Sequence, residues 1–413
     1  MALKRKVDAW VTEVEKLALI AKTHPHAAYA AYCHGLCHRW KFISRTTPTN
    51  GELFTPLETA IRDHFLPSIS DKWDISHCMR KIIALPTRCG GLGVVNPQEE
   101  CTREYAASCL LSGPLTKLIL QQEGCMPPSI YAEQKQAKTA ISQQKTVHIT
   151  EATEKVLGEV QAEQRRMIEL ASEKGASSWL TTLPIEEHGF HLSKTAFWDA
   201  IHLRYGWRPE RLPDKCVCGV QFSVEHALTC PRGGFTFIRH NEIRDMTANL
   251  LSEVCHGVQT EPDLQLLTGE TLAHQTANRQ DNARLDIRAQ GFWGERRQDA
   301  FFDVRVFNPH ASSNRLSSPG ACYRRHEREK RRMYEERIRE VEHGSFTPLV
   351  FAATGGMGIA AEIFYKRLAS LISERNDQPY GTTMAWIRCR ISFSLLRSAV
   401  MCLRGSRSSH HHP

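Results

Sequence analysis

Nowhere do the 413 residues approach twenty consecutive apolar positions, so no membrane-spanning helix is expected. The opening MALKRKVDAWVTEVEKL has no uninterrupted apolar run, which argues against a secretory signal peptide. No internal repeat stands out. Neither charge sign dominates: 53 Lys and Arg against 45 Asp and Glu leave a net +8. That mild basic excess is compatible with a polyanionic partner without requiring one. Lacking a secretory route, the fourteen cysteines read as reduced thiols or metal ligands rather than a disulfide framework. The expectation is an intracellular globular protein of two or three domains.

What is present divides into segments. Residues 1–128 read as a helical bundle, in which Leu3, Val7, Trp10, Val11, Val14 and Leu17 share one helix face. Pro25 opens a second helix through YAAYCHGLCHRWKF, and residues 52–68 suggest a third. The glycine-rich LPTRCGGLGVVNP precedes another helix from Glu99 to Gln122. Residues 129–176, dominated by Gln, Lys, Glu and Ala, have too few apolar positions for a core element and read as an exposed helical connector. Residues 177–234 carry a cysteine cluster. Residues 235–404 alternate helix and strand as a small α/β domain does, and 405–413 are too short and polar to fold. The expected class is α+β.

DKCVCGVQFSVEHALTCPRGG presents Cys216, Cys218, His226 and Cys230. In an extended segment Cys216 and Cys218 point the same way, and Gly219 permits the turn. Ser223 can cap a short helix carrying His226 and Cys230 one turn apart. Four N/S ligands so placed suit a closed structural Zn²⁺ site, the alternative being buried cysteines near in sequence alone. A rival set, Cys33, His34, Cys37 and His38, lacks a second ligand-bearing segment and reads as packing.

The stretch ARLDIRAQGFWGERRQDAFFDVRVFNP reads as two strands with an aspartate in each. A symmetric hairpin centred between Gly294 and Glu295 sets Asp286 opposite Asp303. Arg284, Asp286 and Arg288 would then share one face and Leu285 and Ile287 the other. On the second strand Phe302, Val304 and Val306 would face the core, with Asp303 and Arg305 projecting together. Facing carboxylates repel unless a divalent cation lies between them, and Mg²⁺ or Mn²⁺ bound by one or two carboxylates keeps positions open for substrate phosphate. The plainer alternative is a solvated face neutralised by Arg284, Arg288 and Arg305.

In the helix CYRRHEREKRRMYEERIREVEHG, the apolar stripe passes through Tyr323, His326, Met333, Tyr334, Ile338 and Val341, and Lys330 falls on it. A lysine directed inward needs an anionic partner, for which Asp286 and Asp303 are the candidates. The outer face (Arg324, Arg325, Arg328, Arg331, Arg332) could bind phosphates, or could be a soluble surface paired as Glu327 with Arg331 and Glu335 with Arg339. The turn TGGMG before a further helix could cradle phosphate as well.

The CxC…H…C knuckle followed by RHNEIRD, EPDL, ARLDI, FFDVRVFNP and HEREKRRMY resembles the C-terminal part of the reverse transcriptase polyprotein of non-LTR retrotransposons with a restriction-like endonuclease. The resemblance implies a CCHC zinc knuckle ahead of a PD-(D/E)xK nuclease domain. It makes Asp286 and Asp303 the first and second motif acids, Lys330 and Tyr334 the downstream lysine and tyrosine, and Glu261 an acid near the site. AAYAAYCHGLCHRWKFISRTTP and LPTRCGGLGVVNP resemble the thumb segment of such polymerases. Two positions depart from the family: Leu285 stands where it usually has proline, and Arg305, which cannot deprotonate, replaces the second motif's lysine. No adjacent Asp-Asp pair occurs, so the polymerase palm is missing.

These readings lead to a metal-dependent DNA endonuclease that nicks a target strand. Zn²⁺ would be structural and Mg²⁺ or Mn²⁺ catalytic, with no small-molecule cofactor and no membrane. DNA is the expected partner, together with element RNA or a separately encoded reverse transcriptase, and the nucleus the expected location. The alternative is a binding module or accessory subunit that keeps the knuckle and basic faces but cuts nothing.

Overall fold

The computed structural model describes residues 2–49, 51–122, 128–265, 284–294 and 298–407. The expected hairpin centre at Gly294 and Glu295 and the polar tail from 408 lie partly or wholly outside them. Two compact units emerge, one of Met1–Ser172 with Leu183–Trp207, the other of Glu173–Thr182 with Arg208–Pro413. The chain therefore enters the second unit, returns to the first, and leaves it again.

The first unit is helical. Helix α1 (Ala2–Ala21) buries Val7, Trp10, Val14, Ala18 and Ala21, one stripe at helical spacing. Trp10 packs on Trp40, and Tyr32 stacks on Phe65 at 4.6 Å. A buried ion pair joins Arg80 to both carboxylate oxygens of Glu58 at 2.7 Å, and Arg80 also donates to the Val94 carbonyl. In the glycine-rich loop, a Cβ on Gly91 would fall 1.9 Å from the Leu85 carbonyl oxygen. Arg204 donates to the Thr87, Gly90 and Gly91 carbonyls, so the loop is fastened rather than free. Helix α2 (Pro97–Leu120) and the long α3 (Pro128–Glu159) follow; α3 buries little beyond Ile130, Ala137 and Val156, as its composition requires.

The second unit is α/β. Helix α4 (Phe235–Ser252) leads into β1 (His256–Thr260), β2 (Ile287–Gln290) and β3 (Asp299–Phe307). Helix α5 (Pro319–Glu340), β4 (Ser345–Ala352), α6 (Ile359–Asn376) and α7 (Tyr380–Arg404) complete it. The sheet runs β1-β2-β3-β4, antiparallel except for the parallel pair β3–β4 that α5 connects. Both faces are covered. Ile287, Phe302, Val304, Leu349 and Phe351 form one core with Ile243, Phe364, Leu368, Ile387 and Ile391 of α4, α6 and α7. Phe301 and Phe346 form another with Tyr334 and Ile338 of α5.

One expectation about the hairpin needs correction. Leu285 and Ile287 do not share a face: Ile287 joins the larger core, while Leu285 packs with Phe301, Tyr334 and Ile338. The chain bends at Asp286 and β2 begins only at Ile287, which breaks the two-residue alternation.

Candidate metal centre and acid pair

The knuckle comes together around Ser223, whose hydroxyl accepts from the His226 amide and caps a one-turn helix, Val224–Ala227. Gly219, at φ +87°, turns the chain back from Cys218. One ligand atom from each of Cys216, Cys218, His226 and Cys230 lies within 4.8 Å of all the others. Cys216 and Cys230 sulfurs are 3.8 Å apart, and Cys218 Sγ is 3.3 Å from His226 Nε2. A tetrahedron with Zn–S arms near 2.3 Å has edges of about 3.8 Å, so the set fits a metal such as zinc. The Val220 amide beside Cys218 pulls its thiol below the ordinary value, favouring the thiolate a metal needs. Among the described residues no metal cluster forms around Cys33, His34, Cys37 and His38; Cys37 Sγ bonds the Cys33 carbonyl, in keeping with packing.

The knuckle is held to the α/β layers at two places. Arg407 lies over the rings of Phe222 and Phe235, linking the knuckle to the start of α4. Glu225 accepts from Asn308 through its carbonyl and from the Ser312 amide through its carboxylate. Asn308 directly follows β3, the strand that carries Asp303 and Arg305.

The hairpin register pairs Ile287 with Phe302 and Arg288 with Phe301, and just beyond it the Asp286 side chain bonds the Val304 amide, next to Asp303. Asp303 lies in mid-strand on the α5 side and is 4% exposed. Lys330 Nζ reaches it from α5 at 2.8 Å, and the ammonium sits 5.5 Å from the centre of the Tyr334 ring. Burial and the neighbouring Asp286 charge raise the Asp303 carboxyl to about 6, against the opposing pull of Lys330 and His240. A buried carboxylate whose ionisation is hindered by a neighbouring one suits a divalent cation.

Asp286 is held differently. Its Oδ2 accepts from the Val304 amide at 2.6 Å, replacing the backbone acceptor that β2 fails to supply beyond Ile287. Its Oδ1 is 2.9 Å from Nε2 of His240 on α4. The sequence does not single out His240: RHNEIRD sits on a helix of mixed polarity, and nothing local marks one histidine as facing a residue 46 positions on.

The remaining candidates are distributed unevenly. Glu261 adopts a left-handed conformation (φ 52°), donates its amide to the Asp286 carbonyl, and pairs its carboxylate with Arg244 and Arg284. Two guanidiniums thus hold this acid beside the site without leaving it open to a cation. Tyr334 is 3% exposed within the α5-side core, which makes it a platform beneath Lys330 rather than a group standing in solvent. Arg305 is exposed on the same face of β3 as Asp303.

Of the outer arginines on α5, Arg331 pairs with Glu335, not with Glu327, and Arg325 bonds the Asn314 side chain. Arg339 pairs with Glu340, not with Glu335. Arg324, Arg328 and Arg332 are exposed and have no acidic partner among the described residues. Met333, expected on the buried stripe, is 42% exposed. The TGGMG turn is not an open phosphate cradle. Glu327 accepts from the Ala360 amide at the start of α6, and a Cβ on Gly356 would fall 2.0 Å from a Glu173 carboxylate oxygen. Acidic side chains already stand where an anion would bind.

Among the described residues no helix is long and apolar enough to cross a membrane. Compared with known proteins, the chain matches no protein-family model and no curated protein.

Proposed function

We propose that the second unit is a metal-dependent DNA endonuclease that nicks a target strand, with a restriction-like arrangement of sheet and helices around its site. One observation carries this reading: a buried strand aspartate, Asp303, lies beside Asp286, whose carboxylate bonds the next amide along the strand, and is met at 2.8 Å by a lysine from the covering helix. Asp286 and Asp303 would hold Mg²⁺ or Mn²⁺, which when bound polarises a phosphate and acidifies water. Lys330, anchored on Asp303 and over the Tyr334 ring, would orient the attacking water and balance the charge gathering on the phosphate. Arg305, permanently charged, would bind the phosphate group without moving a proton. Tyr334 would keep the Lys330 stem in place. Arg324, Arg328 and Arg332 would grip the DNA backbone, and the zinc-loaded knuckle would sit alongside.

Such an enzyme would act on nuclear DNA, with element RNA or a separately encoded reverse transcriptase as partners, since the chain has no adjacent Asp-Asp pair for polymerisation. A second reading, a binding module that cuts nothing, is favoured by a specific feature: each acid already has partners within the protein, His240 and the Val304 amide for Asp286 and Lys330 for Asp303. Nicking of supercoiled plasmid by zinc-loaded protein with Mg²⁺, Mn²⁺ or EDTA, beside Asp303→Ala, separates the two. Metal-dependent nicking lost in the variant supports the nuclease. DNA binding without nicking, unchanged by Asp303→Ala, supports the module.

A further inference from the structure

We infer that His240 is a positioning residue for Asp286, fixing its carboxylate so that the free lone pairs face Asp303. The inference rests on the reading of Asp286 and Asp303 as a cation-holding pair and adds a group from a different layer of the fold. Asp286 stands at a bend, one residue ahead of β2, where the Glu261 amide holds its carbonyl but not its side chain. A carboxylate in that position would rotate freely about its terminal bond. Two donors stop it: the Val304 amide on Oδ2 and His240 Nε2 on Oδ1. A carboxylate offers about four lone-pair sites, so two remain for a cation.

A carboxylate oxygen accepts, so His240 Nε2 is the donor in this bond. His240 is itself set in place on the second turn of α4, with the Phe237 ring 6.4 Å away at 42°. The Val304 amide belongs to the backbone of β3 and is not separable from the sheet. His240 is therefore the donor that a side-chain change can remove.

The test is direct Mn²⁺ binding by the full-length zinc-loaded chain, measured by calorimetry without DNA. Wild type is compared with Asp286→Asn, His240→Ala and His240→Gln, with zinc content and melting temperature recorded for each. Loss of such a supporting hydrogen bond typically weakens metal binding about 10–100-fold, the effect expected of His240→Ala. The terminal amide of Gln reaches nearly as far as Nε2 and can donate, so His240→Gln should recover most of the affinity. Zinc content should not change.

If Asp286→Asn weakens Mn²⁺ binding while both His240 variants bind like wild type, the role assigned to His240 is wrong. Equal loss in the Ala and Gln variants together with a lowered melting temperature makes His240 a packing residue and likewise overturns it. If Asp286→Asn binds Mn²⁺ as wild type does, the cation-pair reading itself fails, and the role of His240 with it.

Discussion

Asp303 sits between two opposing demands, since burial and Asp286 favour its neutral form while Lys330 favours its charge. Its folded value of about 6 lies above the ordinary 3.8. Between those values the folded chain keeps a proton that the unfolded chain has released. In metal-free protein, stability is therefore expected to fall as pH rises through this window, and Asp303→Asn should flatten that dependence. Thermal melts in EDTA at pH 4.5 and 7 check it, a wild-type profile no steeper than the variant's being the contrary result. Metal binding has the opposite sign: protons compete with Mn²⁺, so its affinity should drop as pH falls below about 6, as read by calorimetry at pH 5 and 7.5.

At this scale helix periodicity marked Lys330 as an inward charge. Strand alternation set Asp303 on the face away from the Phe302 core, and its burial there by α5 was not legible from the strand alone. The sequence was silent on His240, whose contact comes from a separate element. It misled on Leu285, where a bend sends the side chain to the α5-side core.

Elements show the same division. The hairpin register and the knuckle follow from short-range rules of turn, cap and alternation. Strand β1 could not be foreseen, because HGVQT lies at a sheet edge with residues mostly exposed and carries no apolar alternation. The TGGMG turn was legible as a turn but not as a filled one, since Glu173 and Glu327 reach it from distant segments. Gly355 gives the sharpest prediction there. It adopts φ +106°, and its Cβ would lie 2.9 Å from the Ala176 Cα. Gly355→Ala should cost about 1–3 kcal/mol, seen as a lower melting temperature, whereas a variant as stable as wild type would contradict the observed packing. For the knuckle, Cys230→Ser should reduce bound zinc to well under one ion per chain by elemental analysis. It should leave the helical content of α4, α6 and α7 largely intact by circular dichroism.

At the scale of the whole chain, composition foretold a helical N-terminal part and an α/β C-terminal part. It did not foretell that Glu173–Thr182 would be counted with the second unit. Polar helical sequence carries no mark of which unit it serves. Stability should nonetheless respond unit by unit. Glu58→Ala strands the buried Arg80 guanidinium in the first unit, at a cost of about 3–5 kcal/mol. Denaturation of that variant should move an early transition while zinc content, a property of the second unit, stays constant. Zinc lost in step with that transition would show the units to be a single cooperative block.

The interleaved path also has a temporal side. Thr182 contacts Cys389, 207 residues further on, and the Trp179 amide donates to Ser392. On a ribosome the short segment emerges long before α7 exists to receive it. All of the helical unit is therefore translated around a ten-residue excursion whose surroundings have yet to be made. A gene fragment starting after that excursion would encode every strand of the sheet, yet leave α7 without the partner that was made first.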